Sequence, residues 1–115
     1  MEKDEKIDSV IGKKTVITGN INIEGSAKID GTIQGNISTK ESLILGKGAA
    51  IKGNIECKSA IIGGRIEGNI NVEDILELQS GTHFLGDIVC RGLIIKEGVL
   101  FEGNCQMPQK SKDKQ

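Results

Sequence analysis

The chain has 115 residues, enough for one domain, and its 15 Lys and Arg against 16 Asp and Glu leave a formal net charge of −1. This balance, with no Trp, no Tyr and only two Phe, excludes a basic surface lined by stacking aromatic side chains and predicts that the protein binds no nucleic acid. Gly is frequent, with 16 residues, while Pro occurs once, which favours many short strands joined by tight corners.

The two ends of the chain are short and polar. Residues 1–9 mix acidic and basic side chains and contain no apolar run of the kind found in signal peptides or membrane spans. We therefore expect a disordered N-terminal tail at 1–9, a single domain at 10–107, and a disordered C-terminal tail at 108–115. The three cysteines, an odd number, fit a reducing compartment and predict a cytoplasmic protein.

A Gly-Asn-Ile triplet, with small variations, occurs six times from Gly19 to Gly103, at steps of 16, 18, 15, 18 and 17 residues. A period held over most of a chain is typical of stacked repeats. Gly and Asn suit a corner, because Gly adopts backbone angles that other residues resist and Asn side chains can hydrogen-bond along a column. The predicted corner ladder consists of Gly19, Asn20, Gly35, Asn36, Gly53, Asn54, Gly68, Asn69, Gly86, Asp87, Gly103 and Asn104. The Asp87 rung is expected to be weaker, because a carboxylate accepts hydrogen bonds but cannot donate them.

Apolar residues flank each triplet at a spacing of two, which predicts strands with one apolar face. Two positions before each glycine stand Ile17, Ile33, Ile51, Ile66, Phe84 and Phe101. No segment has a helical period, and one repeat is too short for a strand-helix-strand unit. The sequence therefore predicts an all-β, single-domain parallel β-helix of about six coils with about 17 residues each, right-handed and triangular, and roughly 30 Å tall.

The repeated pattern of Ile or Phe, any residue, and then Gly-Asn-Ile resembles the bactofilins from Val10 to Met107. The resemblance implies a bacterial cytoskeletal scaffold that polymerises through its ends, without nucleotide, into non-polar filaments. It also implies a location at the inner face of the cell membrane, a role in cell shape, and as partners the chain itself, a cell-wall hydrolase or synthase, and membrane proteins. Many bactofilins begin with an apolar and basic membrane-targeting segment. Residues 1–6 instead hold three acids and two bases, which leaves direct membrane binding open.

The sequence offers no amphipathic helix to cover either end of the predicted solenoid. Exposed strand edges and an open core favour association with another copy. We expect one polymerisation interface on the N-terminal coil and one on the C-terminal coil. The N-terminal set is Val10, Ile11, Val16, Ile17 and Ile21, and the C-terminal set is Leu100, Phe101 and Met107.

The sequence predicts no catalytic, cofactor or metal site. His83 is the single histidine and is interpreted as a solvated corner residue rather than a catalytic base. The cysteines Cys57, Cys90 and Cys105 are interpreted as small apolar core residues, and Cys105 is the candidate for intermolecular oxidation. Two glycine- and lysine-containing corners, at 12–15 and 46–48, lack the spacing of a phosphate-binding loop.

Two other functions stay open at this point. The first is a solenoid adaptor that binds a partner without polymerising. The second is an acyltransferase-like enzyme on a hexapeptide β-helix, which needs a strict six-residue register, an inserted loop and a placed histidine. The drifting repeat length disfavours the enzyme.

Overall fold

The computed structural model describes residues 9–107, and the two predicted tails lie outside this range except for Ser9, which begins the first strand. All regular elements in these residues are β-strands, most of them three or four residues long. They are β1 (Ser9–Ile11), β2 (Val16–Thr18), β3 (Ile21–Ile23), β4 (Ala27–Ile29), β5 (Thr32–Gln34), β6 (Ile37–Thr39), β7 (Ser42–Leu45), β8 (Ala50–Lys52), β9 (Ile55–Cys57), β10 (Ser59–Ile62), β11 (Arg65–Glu67), β12 (Ile70–Val72), β13 (Ile75–Leu78), β14 (His83–Val89), β15 (Gly92–Ile95) and β16 (Leu100–Gln106). This part of the chain has no helix long and apolar enough to cross a membrane.

The strands wind into six coils, numbered here 1 to 6 along the chain, and each coil contributes to three faces. Face one is a parallel sheet in the order β1-β4-β7-β10-β13-β15. Face two stacks β2, β5, β8 and β11, and face three stacks β3, β6, β9 and β12. The longer strands β14 and β16 run through both of these faces and join them into one sheet. The predicted parallel β-helix is confirmed, while its hand stays a prediction.

The core is a set of columns in which like residues stack from coil to coil. On face two the register pairs Ile33 with Ile51, Ile51 with Ile66, and Ile66 with Phe84. All four side chains are 0–1% exposed. Burying one such side chain contributes about 1.5–3 kcal/mol, and because coils lie about 4.8 Å apart, aliphatic stacking fills this narrow interior without a large aromatic cluster.

The drift of the repeat length arises at the corners and not in the strands. Between faces one and two, coils 2 and 4 use two residues, Asp30–Gly31 and Gly63–Gly64. Coils 3 and 5 use four residues in turns closed by backbone bonds from Ala49 N–H to Gly46 O (3.0 Å) and from Thr82 N–H to Gln79 O (3.1 Å). The columns therefore stay in register while the chain length per coil changes.

Candidate polymerisation surfaces

The N-terminal end of the solenoid exposes the first member of each core column. These side chains stack on coil 2 but have no described coil on their other side, so they are only partly buried. They are Ile11, Ile17, Ile21 and Ile23. Their neighbours in coil 2, by contrast, are almost fully buried, for example Ile29 and Ile33 at 0% exposed. The end of coil 1 is therefore an apolar patch made from the core itself.

The C-terminal end exposes the last member of the same columns. Its partly buried side chains are Leu93, Val99, Phe101 and Cys105. Ile95 continues the buried column of Leu78 but is 48% exposed, because no further described coil covers it. The Phe101 ring meets the ring of Phe84 edge-on, with centroids 5.7 Å apart, so one side of Phe101 is packed and the other faces the end.

Three of the residues assigned to the ends from the sequence have a different orientation. Val10, Val16 and Leu100 are 68%, 67% and 62% exposed and alternate with the inward positions of their strands. They lie on the outer faces of the end coils, beside the exposed core. Met107, 51% exposed, follows the last strand.

The sequence-based assignment missed several residues of the exposed core. They are Ile23, Leu93, Ile95, Val99 and Cys105. Leu93, Ile95 and Cys105 follow from the column spacing, because each is the last member of a column whose middle members are apolar. Ile23 is the first member of a column that is apolar except at Thr39. The signal was therefore present in the repeat.

Both ends also present strand backbones that pair on one side only. Within residues 9–107, β1, β2 and β3 pair only with coil 2, while β15 and β16 pair only with coil 5. Unpaired backbone groups at a sheet edge are templates for association. Contact with another layer of strands would therefore both bury the exposed core side chains of each end and pair its free backbone groups.

The corner ladder runs between these two ends. A Cβ added at Gly35, whose φ is +150°, would lie 2.0 Å from the carbonyl oxygen of Gly19, so the stacked glycines leave no room for a side chain. Beside them, the backbone N–H of Asn36 donates to Asn20 Oδ1 at 3.1 Å. The same bond recurs at 3.1–3.3 Å in each later rung, up to Asn104.

The geometry of these bonds accounts for the acidic rung. Each side chain is needed as an acceptor for a backbone N–H in the next coil, and a carboxylate is a good acceptor. Asp87 Oδ1 accepts from the backbone N–H of Asn104 at 3.3 Å and from its Nδ2 at 3.5 Å. The inability of a carboxylate to donate would weaken a rung in which the Asp87 side chain had to be the donor. Here Asp87 only accepts, so that weakness is not expected.

The residues considered for chemistry are dispersed. His83 begins β14 on the outer side of face two, between Arg65 and Leu100 of the adjacent coils. The corner at 12–15 is a turn closed by Thr15 N–H donating to Gly12 O at 3.1 Å. Among residues 9–107 no three His, Cys, Asp or Glu side chains cluster as metal ligands would.

The three cysteines differ in burial. Burial raises the pKa of the Cys57 thiol to about 12, with a smaller contribution from Glu73. Burial raises the pKa of Cys90 to about 11, with Cys105 adding to the effect. Because the thiolate is the reactive form, we expect Cys57 and Cys90 to react little near neutral pH. Cys105 is half-buried at the C-terminal end.

A family model, a curated relative and a solved structure all match this chain, and all three are bactofilins. The bactofilin family model, described as polymer-forming cytoskeletal, matches residues 9–106. Bactofilin BacO of Myxococcus xanthus (strain DK1622) is 36% identical over 105 residues, which cover 91% of this chain and 83% of BacO. The structure of the cytoskeletal bactofilin BacA, determined by solid-state NMR, matches with a TM-score of 0.80 at 25% identity, covering 91% of this chain and 100% of BacA.

Proposed function

The chain belongs to the bactofilin family of polymer-forming cytoskeletal proteins, and from this premise we propose that it assembles end to end, without nucleotide, into non-polar filaments. The observation that carries the proposal is the state of the two ends, where apolar core columns stop uncovered beside unpaired strand edges. Adding another molecule buries both the side chains and the backbone groups. Repeated at two ends of a rod, such contacts build an open filament.

In a non-polar filament each end meets its own kind. The N-terminal contact then joins two isoleucine-rich surfaces around Ile17, and the C-terminal contact joins two surfaces around Phe101. Both contacts are isologous, so neighbouring rods alternate in direction along the filament. Assembly needs no nucleotide, because it is driven by burial of surface that is already exposed in the single molecule.

In the cell, the filament acts as a non-enzymatic scaffold in the cytoplasm at the inner face of the membrane. It positions a cell-wall hydrolase or synthase, together with membrane proteins, and so contributes to cell shape. These partners come from the character of the family. Faces two and three of the solenoid remain available to them, because end-to-end assembly uses only coils 1 and 6.

The first test is negative-stain electron microscopy of the purified protein at physiological salt with no nucleotide added. We expect thin filaments whose axial repeat equals one or two rod lengths, with one rod of six stacked coils about 30 Å long. Averaged images that show no polarity along the filament axis would support contacts between identical ends. Discrete monomers or dimers would instead favour the adaptor function, and trimers the acyltransferase-like one.

A substitution at the C-terminal end tests the contact itself. Phe101→Arg should abolish long filaments, because a guanidinium at this contact would have to lose its water without gaining a partner. The β-sheet circular dichroism spectrum should persist, since Phe101 is only partly buried in the last coil. The matched control is Glu102→Arg, which places the same charge on the exposed side of the same strand. Long filaments from the Phe101→Arg protein would refute the proposed contact.

A further inference from the structure

Face one differs from the other faces in its outward side chains. Its central outward column, which we call the face-one stripe, contains four apolar and two charged residues in strict register. In coil order they are Val10, Lys28, Ile44, Ile61, Glu77 and Ile94. Val10, Ile61 and Ile94 are 68%, 38% and 43% exposed. The neighbouring outward position in coil 5 is also apolar, with Ile75 50% exposed.

The corresponding outward positions elsewhere are mostly polar in coils 1 to 4. On face three they are Asn22, Ser38, Glu56 and Asn71. On face two they include polar and charged residues such as Gln34, Lys52 and Glu67. Exposed apolar side chains concentrated on one face, as on the middle and last coils of face one, are the usual mark of an interaction site.

The order of residues in the stripe identifies what covers it. Read from coil 1 to coil 6, the stripe is apolar, basic, apolar, apolar, acidic, apolar. If face one of a second copy is placed against face one with its solenoid axis reversed, coil 2 lies against coil 5. Lys28 then faces Glu77 of the second copy, and Glu77 faces its Lys28. Ile44 then faces Ile61. A rod in the same direction would instead place Lys28 against Lys28 and Glu77 against Glu77.

We propose that the face-one stripe is a lateral contact between antiparallel copies of this chain, related by a twofold axis that lies parallel to the strands between coils 3 and 4. The contact is isologous, with isoleucines at the centre and two Lys-Glu pairs around them. This charge pattern selects the antiparallel partner and disfavours the parallel one.

The neighbours of the two charges are compatible with this pairing. Lys28 Nζ lies 3.9 Å from Asp30 Oδ2, and Gln79 Nε2 donates to Glu77 Oε2 at 2.9 Å. Asp30 and Gln79 each follow the stripe residue by two positions, so the same twofold axis brings the Asp30 carboxylate opposite the Gln79 amide. The Oε1 atom of Glu77 is left for the lysine of the second copy.

The size of the contact explains why it acts between filaments. Face one is about 29 Å tall and about 13 Å wide, roughly 400 Å² per molecule, against about 800 Å² per partner in stable complexes. One contact is weak, but a filament repeats it at every rod, which strengthens the whole assembly. In this respect the inference rests on the proposed polymer. Filaments whose rods alternate in direction offer an antiparallel neighbour at every position.

The experiment is zero-length cross-linking of the full chain with a carbodiimide, which joins touching amines and carboxylates, followed by peptide mass spectrometry. Within one molecule Lys28 and Glu77 are three coils, about 14 Å, apart, with two isoleucines between them. A Lys28–Glu77 link therefore reports two molecules. We expect this link in the wild-type protein and electron micrographs with paired filaments.

Charge exchange provides the variants. Lys28→Glu and Glu77→Lys should each reduce filaments to single ones, and the double variant should restore pairing. Lys52→Glu, a matched change on face two, should leave pairing intact. Absence of the Lys28–Glu77 link, or single charge changes that leave pairing intact, would overturn the lateral contact. Single unpaired filaments from the wild type would also overturn it while leaving the end-to-end polymer standing. Absence of any filament counts against the polymer.

Discussion

The middle coils and the end coils are made of the same columns, yet their residues have different consequences. Ile33 and Ile51 in the middle are 0–1% exposed, whereas Ile17 and Phe101, in the same column at the ends, are only partly buried. The chemistry of the side chains is alike, and only the number of covered sides changes. A solenoid is a nearly one-dimensional object, so a residue's role follows from its distance to an end. Middle members hold the fold, and end members are available for association.

The largest effect is expected from a charge in the middle of a column. Ile55 in coil 3 is 1% exposed, and Ile55→Asp places a carboxylate where neither water nor a cation is available. We expect loss of the β-sheet spectrum and aggregation, because the penalty is comparable to a typical total stability of about 5–15 kcal/mol. The same change at Ile21, the end of this column, should yield a folded protein that forms no filaments. A soluble, fully β Ile55→Asp protein would contradict the column assignment.

The glycine column gives the second contrast. An added Cβ at Gly68 would lie 2.0 Å from Gly53 O, whereas a Cβ at Gly19 meets no atom within 4 Å. Gly68→Ala should therefore destabilise the protein far more than Gly19→Ala, whose cost is the backbone strain at φ +126° of about 1–3 kcal/mol. Thermal unfolding of both proteins in the Phe101→Arg background checks this without interference from filaments. Equal shifts in melting temperature would show that contact with the glycine below is unimportant.

The asparagine ladder should produce a smaller difference. Asn54 accepts from the backbone N–H of Asn69, so Asn54→Ala should cost about 1 kcal/mol for the lost bond. Asp87→Asn keeps an acceptor oxygen at its rung and should change the free energy of unfolding by less than Asn54→Ala does. Urea titration of the two proteins measures the difference. An Asp87→Asn change as large as that of Asn54→Ala would show that the negative charge, and not the acceptor, matters at coil 5.

The smallest effect is expected from chemical labelling of the three cysteines in the wild-type protein. Because burial raises the pKa of Cys57 to about 12 and of Cys90 to about 11, iodoacetamide at pH 8 should leave both unmodified. Cys105 at the C-terminal end should be labelled, and filament formation should slow its labelling by covering that end. Labelling of Cys57 before Cys105 would indicate that the middle coils open more readily than the end.

The repeat carried most of the fold. The apolar residues at every second position predicted the core columns, since side chains alternate along a strand. The Gly-Asn-Ile triplet predicted where the corners lie. The corner lengths could not be predicted, because two- and four-residue corners both return the chain to the same column. The ladder's chemistry was predicted in part. Asn side chains were expected to hydrogen-bond along the column. That the donor is a backbone N–H of the next coil could not be predicted, because it depends on how closely adjacent coils approach at the glycines.

The end surfaces were harder to predict than the columns. Val10, Val16 and Leu100 are apolar and belong to the end coils, but their side chains point outward. Their inward neighbours in the same strands are Ile11, Ile17 and Phe101. Hydrophobicity alone does not distinguish an uncovered core residue from an exposed outer one. Register does. The triplets at Gly19 and Gly103 set the register of β2 and β16, whereas the register of β1 is known only from its pairing with coil 2.

The unequal corners between faces one and two also bear on how the molecule can be modified. Coils 2 and 3 differ by two residues at this corner, Asp30–Gly31 against Gly46–Ala49, without any displacement of the columns on either side. Insertions and deletions at this position are therefore absorbed locally. A peptide tag or a small reporter domain inserted between Lys47 and Gly48 would emerge at one edge of every rod. It would decorate an assembled filament at regular intervals without entering the interior or either end.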